Sequence, residues 1–162
     1  MRTKIMLIFS VFIFAALNYG IYEKEQIKAN GEVLLLKLVP RDPRSLMQGD
    51  YMQLAYAITR NLPVKTIDSQ QKRGYMVIRS DENNVAEFVR FYQDEKLAAG
   101  EKLLHFHKQY SSVRIVPDSF FFQEGHAKYY QNAKYGIFKF DDSKNHLLVG
   151  LADENRRAIV VP

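Results

Sequence analysis

A serine, two arginines and two aspartates crowd into residues 41–50 (RDPRSLMQGD), the densest local signal in the chain. A serine attacks a carbonyl only when a base takes its proton, so Ser45 would need a lysine base drawn from elsewhere. Arg41 and Arg44 are permanent cations, suited to holding carboxylates or carbonyl oxygens. Gly49 and Asp50 have a plainer use. Glycine accepts positive φ and aspartate accepts bonds from nearby backbone amides, so together they make a tight turn, with Asp42-Pro43 stiffening its entrance. Beyond the turn, Tyr51, Gln53 and Ala55 fall on one face of a strand, and Met52, Leu54 and Tyr56 on the other. The stretch therefore reads either as a rigid loop presenting Arg41, Arg44 and Ser45, or as a structural turn feeding a core strand.

His105 and His107 alternate along a second predicted strand, which brings both rings to one face as a metal pair requires. No Asp, Glu or His nearby is spaced as a third ligand, and the simpler reading is two solvated histidines; no metal or cofactor is expected. Phe120, Phe121, Phe122, Tyr129, Tyr130 and Tyr135 gather around Gln123-Glu124-Gly125. That is either core or a docking surface with Gln123 and Glu124 as its polar patch, and Glu124 could also cap a following helix. As a catalytic acid Glu124 lacks a second carboxylate to share the acid and base roles. His126 and His146 stand alone and carry no assignment.

Composition narrows the classes. The chain has 162 residues, 47% of them hydrophobic and 25% charged, which suits one folded domain with an appendage. Setting aside Arg2 and Lys4, 21 basic residues face 18 acidic ones with the signs interspersed, which is no nucleic-acid footprint. The absence of cysteine rules out disulfides, thiol catalysis and cysteine-ligated metals.

The elements that must position these residues begin with an anchor. Residues 5–22 (IMLIFSVFIFAALNYGIY) carry no charge, and eighteen helical residues reach about 27 Å, close to a bilayer's apolar thickness. Leu17, Asn18 and Tyr19 spoil the small-residue pattern of a cleavage site after Ala15-Ala16, so the segment reads as an uncleaved signal-anchor. Arg2 and Lys4 before it, with Glu23 and Glu25 after it, put residues 1–4 in the cytoplasm and the rest outside the inner membrane, in the periplasm. Residues 23–31 then read as a helical stalk ended by Gly31, and 32–162 as one extracytoplasmic domain.

Within that domain, strands are expected at 33–39, 51–58, 75–79, 85–92, 102–108, 113–116, 137–140, 147–151 and 158–161. Residues 81–84 (DENN) signal a hairpin, and 126–135 read as a helix stopped by Gly136. Short turns between neighbouring strands predict a mostly antiparallel β or α+β domain behind one transmembrane helix.

Gly49-Asp50-Tyr51, Leu54 and Tyr56 together resemble the motif that names the GDYxxLxY family of bacterial membrane-anchored proteins. Asp42-Pro43-Arg44-Ser45-Leu46 and Phe122-Gln123-Glu124-Gly125 also look like that family, and the likeness spans nearly the whole chain. It implies a single-pass protein, similar to ones encoded beside multi-pass membrane proteins, and it transfers no catalytic residue. A weaker likeness links residues 45–50 to the Thr-Leu-x-x-Gly-Asp stretch of type I signal peptidases, in which the nucleophilic serine position corresponds to Arg41. An arginine cannot attack a carbonyl, so only the loop geometry is shared.

The function expected is a non-catalytic interaction subunit docked on an integral membrane partner, with the bilayer held through residues 5–22. The alternatives are a sensor domain for a small ligand and, behind it, a serine hydrolase built on the 41–50 loop.

Overall fold

The uncharged segment forms the start of one long helix, α1, Arg2–Asn30. The large apolar side chains of its first half, from Ile5 to Phe14, are each more than half exposed, and Ile27 is its one buried residue. Asn18 turns its amide back onto the carbonyl of Phe14 at 2.8 Å, so this polar group is satisfied inside the helix. By length and composition α1 can cross a membrane. The computed structural model describes residues 2–39, 51–60, 62–63, 67, 71–109, 112–141 and 144–161. Arg41, Asp42, Pro43, Arg44, Ser45, Gly49 and Asp50, with the turn expected there, lie outside the described residues.

α1 ends against the domain. The Gly31 amide donates to the Ile27 carbonyl at 2.8 Å, and a β-carbon on Gly31 would run into that same carbonyl oxygen. The Lys139 ammonium donates to the Lys28 carbonyl and reaches towards that of Ala29. The last carbonyls of a helix have no partner of their own, and a cation there also meets the negative end of the helix dipole.

Among the described residues nine strands follow: β1 Glu32–Lys37, β2 Tyr51–Gln53, β3 Arg73–Ser80, β4 Ala86–Phe91, β5 Glu101–Gln109, β6 Ser112–Ile115, β7 Ser119–Phe121, β8 Tyr135–Phe140 and β9 His146–Ala152. They form three antiparallel sheets, ordered β1-β8-β9, β2-β7 and β4-β3-β5-β6. The mostly antiparallel β class is the one observed. Single bridges join the sheets, Leu35 to Val85 and Leu38 to Tyr56, so that all three close on one core containing Leu34, Met76, Leu104, Phe106 and Phe138. The hairpin at 81–84 forms as expected. Asp81 Oδ1 accepts from the amides of Asn83 at 2.7 Å and Val85 at 2.8 Å while Asn84 takes φ +58°.

Three local expectations are corrected. The strand expected over 51–58 stops at Gln53, Tyr56 makes one bridge, and Ala57–Thr59 is a 3₁₀ turn. The Thr59 hydroxyl donates to the Tyr56 carbonyl at 2.8 Å and offers the backbone an alternative to the ladder. The helix expected over 126–135 shrinks to α2, Ala127–Tyr130, whose N-cap position is held by His126 and not Glu124, with no side-chain cap bond. Gly136 is a buried residue of β8, where a β-carbon would press Phe138 at 3.2 Å and Leu148 at 3.3 Å. Ladder pairs to β1 and β9 outweigh a helix too short to sustain itself. The strand expected at 158–161 is reduced to one bridge, Ala158 to Ala152.

Candidate functional site

The alternation read at 51–56 sorts as predicted, with Met52, Leu54 and Tyr56 buried, Tyr51 and Ala55 half-buried and Gln53 exposed. The strand partner of this stretch was not evident from sequence. β2 pairs with β7 in the register Tyr51–Phe121, Met52–Phe120 and Gln53–Ser119, and the Leu54 amide continues the pairing to the Asp118 carbonyl at 2.7 Å. The rings of Tyr51 and Phe121 lie 5.7 Å apart across the ribbon. Phe121 is 73% exposed, so its ring is offered to solvent on a ribbon whose inner side chains belong to the core.

Behind the ribbon, Phe120 and Phe122 both pack on Tyr130, with ring centroids 5.2 and 5.5 Å away. Gln123, Glu124 and Gly125 form an exposed turn closed by a bond from the His126 amide to the Gln123 carbonyl, and Gly125 sits at φ +78°. An L-residue with a side chain is strained at that φ, which accounts for glycine here. Of the stretches that resemble one family, residues 51–56 and 122–125 thus meet as one ribbon and its adjoining turn.

Tyr56 belongs to the scaffold. Its hydroxyl donates to the Pro117 carbonyl at 2.8 Å and its ring meets the edge of Phe138 at 5.7 Å. Burial, assisted by the charge of Asp118, pushes its pKa far above the ordinary tyrosine range, so the phenol stays protonated and keeps its bond to Pro117 near neutrality.

Sequence reasoning passed over Glu101, a carboxylate whose side chain is only 2% exposed. Arg90 donates to both its oxygens at 2.8 and 3.0 Å, Arg79 adds 3.2 Å, and the Ala98 amide adds 3.0 Å. Those bonds, Arg90's foremost, hold its pKa down at about 2. A carboxylate so fully engaged fixes strands and moves no protons at neutral pH. The signal lay in register, because β3 sets Arg79 directly opposite Glu101.

His105 and His107 do share a face, their rings 5.3 Å apart, with Tyr75 beside His105 at 5.2 Å. Burial, with help from the charges of His107 and Arg73, lowers the pKa of His105. Among the described residues no group of three His, Asp or Glu is placed to hold a metal ion. His146, which sequence left unassigned, is set against Phe138 and Phe140 and places Nε2 2.8 Å from the Val116 carbonyl, while its Nδ1 is buried without a partner.

Comparison with the curated proteins and with the solved structures finds no match in either. The family model described as GDYXXLXY protein matches residues 13–151, which takes in the greater part of α1, the ribbon and all nine strands but the end of β9. On that match, together with the paired ribbon, the chain belongs to the GDYXXLXY protein family.

Proposed function

We propose that this chain is a membrane-anchored, non-catalytic interaction subunit, held in the bacterial inner membrane by α1 with its β domain on the extracytoplasmic side. The observation that carries the reading is Phe121, a large aromatic ring 73% exposed on a ribbon fixed from behind by core residues. Rings presented this way, with Tyr51 across the ribbon, are common anchors of protein interfaces. The uncharged, exposed span of α1 argues for a partner that is itself an integral membrane protein. The orientation rests on Arg2 and Lys4 ahead of the span.

Mild-detergent extraction of native membranes, followed by purification of the tagged full chain, tests this. One stoichiometric membrane protein should accompany the wild type and be lost from a normally folded Phe121→Ser variant. Retention of every companion by that variant would remove the ribbon as the docking surface.

A second reading is favoured by a cleft of about 390 Å³ between α1 and the domain, lined by Tyr19, Tyr22, Gln26, Lys102, Phe140 and Asn145 among others. Its mixed lining and size suit a small amphiphilic ligand, which would make the domain a sensor.

A further inference from the structure

The outer face of the four-stranded sheet carries a row of basic side chains that the interaction reading leaves unused. Arg73 on β3 is paired with His107 on β5, and His107 with Arg114 on β6, so the three stand side by side across three strands. Adjacent strands are about 4.8 Å apart, which places the stems of the two arginines about 10 Å apart with the imidazole between them. Both arginines are exposed. A cleft of about 470 Å³ opens on this row, with Lys72 and Gln109 also lining it.

We propose that this cleft is an anion site, taking a phosphate group between the guanidinium groups of Arg73 and Arg114 above His107. Phosphate is favoured by its charge and its several acceptor oxygens, which can engage two guanidinium forks at once. One opposing charge is present. Asp118 lies 3.5 Å from Arg114, but both side chains are half-exposed, and such a screened pair is weak enough for a phosphate to displace. Lys108 also lines the cleft, with its ammonium on the Ile67 carbonyl at 3.1 Å. The row is three strands wide and flanked by two lysines, Lys72 and Lys108, too short to track a polynucleotide.

The phosphate has two possible sources, a soluble phosphate compound or a phospholipid headgroup, and the experiment separates them. The full chain in neutral maltoside micelles is titrated with inorganic phosphate in one arm and with short-chain phosphatidylglycerol in the other, at matched ionic strength. The readout is the ring signals of His107 by NMR. Saturable movement in either arm supports the site and identifies its source. The variant R73Q/R114Q should weaken the apparent affinity tenfold or more, with its melting temperature checked separately. Removing two exposed cations elsewhere, as K96Q/K134Q, should change it less than twofold. Equal weakening by the two double variants would reduce the effect to diffuse charge, and an absence of saturation in both arms would overturn the site.

Discussion

The phenol of Tyr56 and the carbonyl of Pro117, far apart in sequence, are joined by a hydrogen bond of 2.8 Å at the edge of the core. One residue earlier, the Val116 carbonyl faces His146 Nε2 at the same distance, so the chain between β6 and β7 is held from two sides. That segment leads directly into the strand that carries Phe121.

The Tyr56 bond predicts a graded response. Tyr56→Phe leaves the Pro117 carbonyl without its donor and should destabilise the domain by about 1–2 kcal/mol. Tyr56→Ala also removes the ring packed on Phe138 and should cost about 3–5 kcal/mol. Urea unfolding of the full chain in detergent measures both. If the Phe variant matches the wild type, the hydroxyl contributes nothing.

His146 predicts a pH response near neutrality. Burial lowers its folded pKa, while the unfolded imidazole titrates near 6.5. As pH falls below 6.5, the unfolded state therefore takes up the proton first, and stability declines until the folded value is passed. Histidine NMR should show this ring still neutral at pH 6.5. A normal titration midpoint would mean that Nδ1 reaches solvent.

Glu101 predicts a separate loss in acid. Its folded pKa is depressed to about 2 from an ordinary 4.5, so its contribution is complete above 4.5 and is lost as pH drops towards 2. Glu101→Gln should lower the urea midpoint at pH 7 and flatten its decline between pH 4.5 and 2.5. A variant as acid-sensitive as the wild type would place the sensitivity in other carboxylates.

What was legible in the sequence was what depends on local period. The faces of residues 51–56 and the hairpin around Asp81 follow from alternation and turn chemistry, and both are present. Pairing between distant strands has no local signature, so neither Tyr51 opposite Phe121 nor the basic row through His107 could be read in advance. The helix expected over 126–135 failed for a related reason. Its residues tolerate a helix, but Tyr135 and Gly136 are claimed by two neighbouring strands at once. Burial of Glu101 was equally hidden, since a charge can be buried only where folding brings it partners.

The junction at Gly31 has a mechanical consequence. With its amide bonded to Ile27, no room for a side chain, and Lys139 donating to a carbonyl of the last helical turn, Gly31 joins α1 to the sheet with contacts on both sides. In the anchored protein proposed above, the tilt and azimuth of the helix would then set the bearing of the domain, and with it the direction in which Phe121 faces. Inserting two glycines after Asn30 would loosen that bearing while leaving every contact within the sheets intact.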